Sequence, residues 1–129
     1  MSRRNIEVAG LDHGVQPFPI ATRVGPLVCT SAIHGRNRES GDFDQDPVTH
    51  IRAVFSNLEA VMHAAGGSLD DVGLCLVSLS SMEYRGALNT VWNEVFPDEH
   101  SRPSRNTQQR ELTAPLICQV VATAFVSGD

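Results

Sequence analysis

The sequence predicts one α+β domain, a β-sheet with two amphipathic helices packed on one face. Three observations lead there. The chain has 129 residues, enough for one hydrophobic core and too few for two. Strand-like and helix-like runs follow one another in the order strand, strand, helix, strand, helix, strand, an interleaving that favours a layered sheet backed by helices. Apolar residues make up 41% and charged residues 19%, an ordinary globular balance without the low-hydrophobicity signature of disorder.

Taken in order, Asn5 to Ala9 is weakly strand-like. Arg23 to Ile33 reads as a strand rich in Val and Ile, with Gly25-Pro26 at a turn before its core, and this pair of runs points to a hairpin near the N-terminus. The polar, glycine-punctuated run from His34 to Phe43 is a loop. Asp46-Pro47 opens a helix, because an Asp carboxylate can accept from the free amides of the first turn and a proline wastes no amide there. Gly66-Gly67 stops it. Between them Val48, Ile51, Phe55, Leu58, Met62 and Ala65 recur at the spacing of one helical face, which leaves Arg52, Glu59 and His63 toward solvent. Val72 to Leu79 is an apolar run of strand length. Tyr84 to Phe96 resumes helical spacing through Leu88, Val91, Trp92 and Val95, and a last strand spans Leu116 to Val126 after Pro115.

The formal net charge is -5 and no basic run exists beyond Arg3-Arg4, so a polyanionic nucleic acid is not the expected partner. No stretch of about 18 apolar residues is present, and MSRRNIEVAG lacks the apolar segment of a secretion signal, so a cytoplasmic protein that neither spans a membrane nor leaves the cell is expected. Cys29, Cys75 and Cys118 are odd in number and set among apolar neighbours; they read as reduced core residues, with a catalytic thiol the less favoured alternative. No metal-ligand spacing, GxGxxG, GxxxxGK[ST] or GxSxG motif occurs, so neither a metal nor any other cofactor is expected.

Several stretches then resemble one family. Pro17-Phe18 followed by Arg23-Val24-Gly25 is similar to a Pro-Tyr segment leading into a Lys-Val-Gly strand, and CTSAI at 29 to 33 to a Val-Ser-Gly-Gln-Ile strand end. NLEAVMHAAGGSLDDV from Asn57 to Val72, Leu88-Asn89 with Val91-Trp92 and Phe96, and Pro103-Ser104-Arg105 complete the set. These resemble the YjgF/RidA family of small trimeric proteins, whose best-known members hydrolyse reactive enamines and imines. The resemblance implies a chorismate-mutase-like fold: a mixed β-sheet with two helices on one face, three copies closing into a barrel-like trimer with clefts between subunits.

It also implies roles. Arg105 matches the family's Pro-Ala-Arg, and its planar fork suits a carboxylate gripped at two points; without the resemblance a solvated loop arginine would be the plainer reading. The family's deaminases place in the same cleft a Tyr, a glycine-bearing strand end, a Cys and a Glu that handles water. Those positions here carry Phe18, Ser31, Thr107 and Val121, and each departs from the pattern. Val121 matters most, since hydrolysis of an imine needs a group that moves protons to and from water. Gln119 lies on the same strand face as Val121 and can hydrogen-bond a water or a carbonyl without acting as a base. His34 is the candidate to replace the carboxylate, against the alternative of an exposed loop histidine. Two readings stay open: an enzyme that hydrolyses an enamine or imine acid by a variant mechanism, and a non-catalytic relative that binds a small carboxylate metabolite.

Overall fold

The computed structural model describes residues 2–128. Seven strands form one mixed sheet: β1 (Arg3–Ile6), β2 (Ala21–Val24), β3 (Leu27–Thr30), β4 (Ile33–His34), β5 (Val72–Leu79), β6 (Ser104–Gln109) and β7 (Cys118–Phe125). In space they run β1-β2-β3-β7-β5-β6, and β4 pairs with β7 beyond the end of β3. The pairing of β5 with β6 is parallel and the other pairings are antiparallel. Helices α1 (Pro47–Ala64) and α2 (Arg85–Val95) cover one face, and the core lies between them and the inward residues Val28, Ile33, Cys75, Val77, Cys118, Val120 and Ala122.

α1 keeps its predicted bounds for the predicted reasons. The Asp46 carboxylate accepts from the Thr49 amide at 3.0 Å, and at the far end Gly66 takes φ +90 while the Gly67 amide reaches the Met62 carbonyl at 2.8 Å. Its buried face is wider than the single stripe expected, because His50, Val54, Asn57 and Val61 are also covered. α2 is one residue shorter at each end than its periodicity implied. Met82–Tyr84 forms a separate 3₁₀ turn, with the Ser81 hydroxyl accepting from the Glu83 amide.

The N-terminal strands depart from expectation. β1 begins two residues earlier, and the run from Arg23 to Ile33 is split by Gly25-Pro26 into the tight β2–β3 hairpin, with Gly25 at φ +56 as such a turn demands. A second break follows Thr30, whose hydroxyl accepts from the Ala122 amide at 2.9 Å where the ladder lapses. Pairing resumes with Ile33 opposite Val120 and His34 opposite Gln119, so His34 belongs to a strand and the loop starts after it.

β6 was not expected at all. SRNTQQ contains no apolar residue, and as an edge strand it needs only the parallel partner β5. Cys29 also corrects the reading of three core thiols: Cys75 and Cys118 are buried, but Cys29 alternates with the inward Val28 and Thr30 and is exposed. Arg23 is the buried cation of the fold. Its guanidinium donates to the carbonyls of Gly25, Ala65 and Gly128 at 2.8, 2.6 and 2.9 Å, tying the hairpin, the end of α1 and the C-terminal segment together.

Candidate functional site

Arg105 and Thr107 stand two apart on β6, and their register with Cys75 and Val77 turns both toward the helices. The Arg105 guanidinium lies 4.9 Å from the centre of the Trp92 ring, and its Nη2 donates to Asn89 Oδ1 at 2.8 Å. Both contacts come from α2, so helix and strand together aim the fork. No carboxylate pairs with Arg105 among the described residues. Burial first, and then neighbouring Arg85, lower its pKa, so the surroundings favour a compensating anion. Burial pushes the Cys75 and Cys118 thiols up to about 12, with the charge of Arg105 pulling weakly the other way, so neither is a nucleophile near neutrality.

Phe18, Ser31, His34 and Gln119 gather elsewhere, around β4. Phe18 is 47% exposed and therefore not a core residue. Its ring lies 4.8 Å from His13, His13 is 6.4 Å from His34, His34 is 5.5 Å from Phe43, and Phe43 stacks on His50 at 5.7 Å. Asn57 of α1 fixes the backbone here by donating to the carbonyls of both His34 and Arg36 at 2.8 Å. The Ser31 hydroxyl is spent clamping the Pro19 carbonyl at 2.7 Å. The His34 pKa is lowered by burial first, then by Arg36, His13 and His50. His13 is the residue that sequence reasoning missed. It sits in an Asp-His-Gly turn with no local feature to mark it, and only the fold brings it to His34.

Val121 lies opposite Leu76, on the face that no helix covers. That face is apolar: Leu27, Leu76 and Phe125 are 42%, 40% and 65% exposed, with Cys29 beside them. Arg105 thus points to the helix side and Val121 to the bare side, and a single subunit does not unite them. Two hollows of about 500 and 600 Å³ flank the loop around Asp42 to Asp44, and Arg105 lines neither. No group of His, Cys, Asp and Glu among the described residues is placed to hold a metal, and none of the helices is long and apolar enough to cross a membrane.

A helix-backed mixed sheet with a bare apolar face, and on its edge strand an arginine with no acid partner among the described residues, defines a small α+β protein. The chain belongs to the YjgF/RidA family: the family model described as endoribonuclease L-PSP matches residues 13–123. A 3-aminoacrylate deaminase, RutC, from Acinetobacter baylyi is 29% identical over 129 residues, covering 98% of this chain and all of the relative. A putative endoribonuclease from Thermotoga maritima superposes with a TM-score of 0.89 at 28% identity, over 99% of this chain and 100% of that one. The structure of E. coli TdcF with bound serine gives 0.88 at 22% identity, over 96% and 99%, and at that identity shows the fold alone.

Proposed function

We propose that this protein is a cytoplasmic homotrimer that holds a small carboxylate-bearing metabolite in a cleft between subunits and hydrolyses an enamine or imine acid by a variant mechanism. One observation carries the reading: Arg105 is held by Trp92 and Asn89, with no acid of its own. A guanidinium positioned this way is preorganised for an incoming carboxylate. The bare face supplies the reason for assembly, since leaving Leu27, Leu76 and Phe125 in water is unfavourable and a second copy can cover them. Between copies, the Arg105 cluster and the β4 cluster can meet. A reducing compartment suits three free cysteines, one of them exposed.

In the reaction, water oxygen bonds to the imine carbon and a water proton passes to nitrogen. The C–N bond then breaks as the new hydroxyl gives up its proton and the departing nitrogen gains one, giving ammonia and a 2-oxo acid. Thr107 and backbone groups position the substrate, Phe18 walls it, and His34 or an ordered water serves the proton transfers. The chain contains no lysine, so no side-chain amine can form a Schiff base in place of these groups. A ribonuclease reading gains nothing from the charge, with 15 acidic residues against 10 basic.

The alternative is a metabolite-binding relative without turnover, favoured by Val121 where a carboxylate would be needed. Ammonia release from the enzymatically generated imino acid of serine separates the two. Release faster than in buffer supports the enzyme. Thermal stabilisation by pyruvate without such release supports the binder, and neither effect would end the carboxylate-site reading itself.

A further inference from the structure

The two nitrogens of His34 are in unlike settings. Nδ1 is sealed from solvent with no hydrogen-bond partner, whereas Nε2 is not sealed and is bonded to none of the described residues. A second proton would place a donor at Nδ1 with nothing to accept it, and buried orphan N–H groups are rare because they forfeit a hydrogen bond to water. Burial and then the neighbouring groups act in the same direction. Those groups are Arg36 from the loop after β4, His13 from the N-terminal loop and His50 from α1, with no carboxylate in the set, while β7 contributes the neutral Gln119. Phe43 adds an apolar wall.

His13 has a defined tautomer. Its Nε2 lies 3.0 Å from the Ala32 carbonyl, an atom that only accepts, so the proton is on Nε2 and the sealed Nδ1 is bare. That bond fixes the ring edge-on to His34 and against Phe18. The sealed nitrogens of His13, His34 and Arg36 are the unpartnered buried side-chain nitrogens among the described residues, and all three belong to this one neighbourhood.

We infer that His34 is a neutral imidazole with its proton on Nε2, offered as a hydrogen bond to a lone pair of the ligand such as a carbonyl oxygen or an imine nitrogen, and that His13 is its positioning residue. This rests on the proposed carboxylate site and replaces a proton carrier with a donor. The proton that the imine nitrogen takes up then comes from water, and His34 polarises the C=N bond without changing charge.

Nitrogen NMR of the unliganded protein tests the tautomer. The expected result is an Nε2–H imidazole that takes up its second proton only below the pH range in which an unperturbed histidine titrates. A ring that gains its second proton in that window, or carries its proton on Nδ1, overturns the proposal. In His13→Ala the His34 ring should begin to titrate within that window, because its shield is gone; an unchanged His34 spectrum removes His13 from the role. Calorimetry with pyruvate supplies the functional arm. His34→Gln places an amide N–H near the position of Nε2–H and should bind like wild type, whereas His34→Ala should bind about tenfold more weakly, the loss of one hydrogen bond. Equal weakening in both variants counts against donation. If pyruvate binds to no form, the carboxylate-site reading fails while the spectra still decide the tautomer.

Discussion

Replacing Arg105 by Lys keeps the charge and loses the fork, the stacking on Trp92 and the geometry of the bond to Asn89. Calorimetry should show carboxylate binding weakened by roughly 1 to 3 kcal/mol with thermal stability nearly unchanged. Val121→Glu asks whether only the carboxylate is missing: in a trimer that already hydrolyses imino acids slowly, ammonia release should rise by up to about 10² to 10⁴. Arg23 is the contrasting case, buried and bonded to three carbonyls. Arg23→Met leaves those carbonyls unpaired and should cost about 3 kcal/mol in urea unfolding. How much of the site was legible in the sequence follows from these residues. Arg105 was recognisable from Pro103-Ser104-Arg105, but its grip by Asn89 and Trp92 joins a helix to a strand across 16 residues. The bond is not visible in either segment alone. Ser31, on the strand end expected beside the ligand, donates its hydroxyl to the Pro19 carbonyl 12 residues away, a bond that neither segment displays alone.

α1 was legible because everything that bounds it is local: an acceptor, a proline and two glycines act within a turn of where they stand. β6 was illegible for the opposite reason, since SRNTQQ carries no period-2 apolar signal and owes its conformation to β5. At this scale the joints can be tested. Asn57→Ala removes both bonds that hold the end of β4 and the loop after it to α1. It should cost about 2 kcal/mol, as a buried pair of hydrogen bonds is lost, and it should move the His34 signals. The carboxylates of Asp46 and Glu94 both titrate below the ordinary range. For Asp46 the main cause is the Thr49 amide, and for Glu94 it is the hydrogen bond from Arg52. A lowered native pKa means that the unfolded chain binds the proton first. Their contribution is therefore full above the ordinary carboxylate range and is lost as pH falls through the native values. Tm should drop across that acid window in the wild type and drop less in an Asp46→Asn, Glu94→Gln double variant.

Over the whole molecule the sheet is covered on one side only. Light scattering should find three chains of 14.0 kDa, and Leu76→Glu, which puts a charge in the bare face, should yield a smaller species. A clean monomer from the wild-type chain would remove both the trimer and the shared cleft. The apolar outward face was partly legible in β7, where outward Val121 and Phe125 alternate with inward Val120, Ala122 and Ala124 instead of polar with apolar residues. The order of the strands in space was not legible, since it is set by pairings between residues about a hundred positions apart. It bears on synthesis. β7 is made after the strands it joins and lies between β3 and β5, so until Cys118 to Phe125 emerge, β1–β3 and β5–β6 should remain two ribbons with open edges. Chains stalled before Cys118 should be cut rapidly by protease while still tethered. Resistance should appear only after β7 clears the exit tunnel and closes both edges.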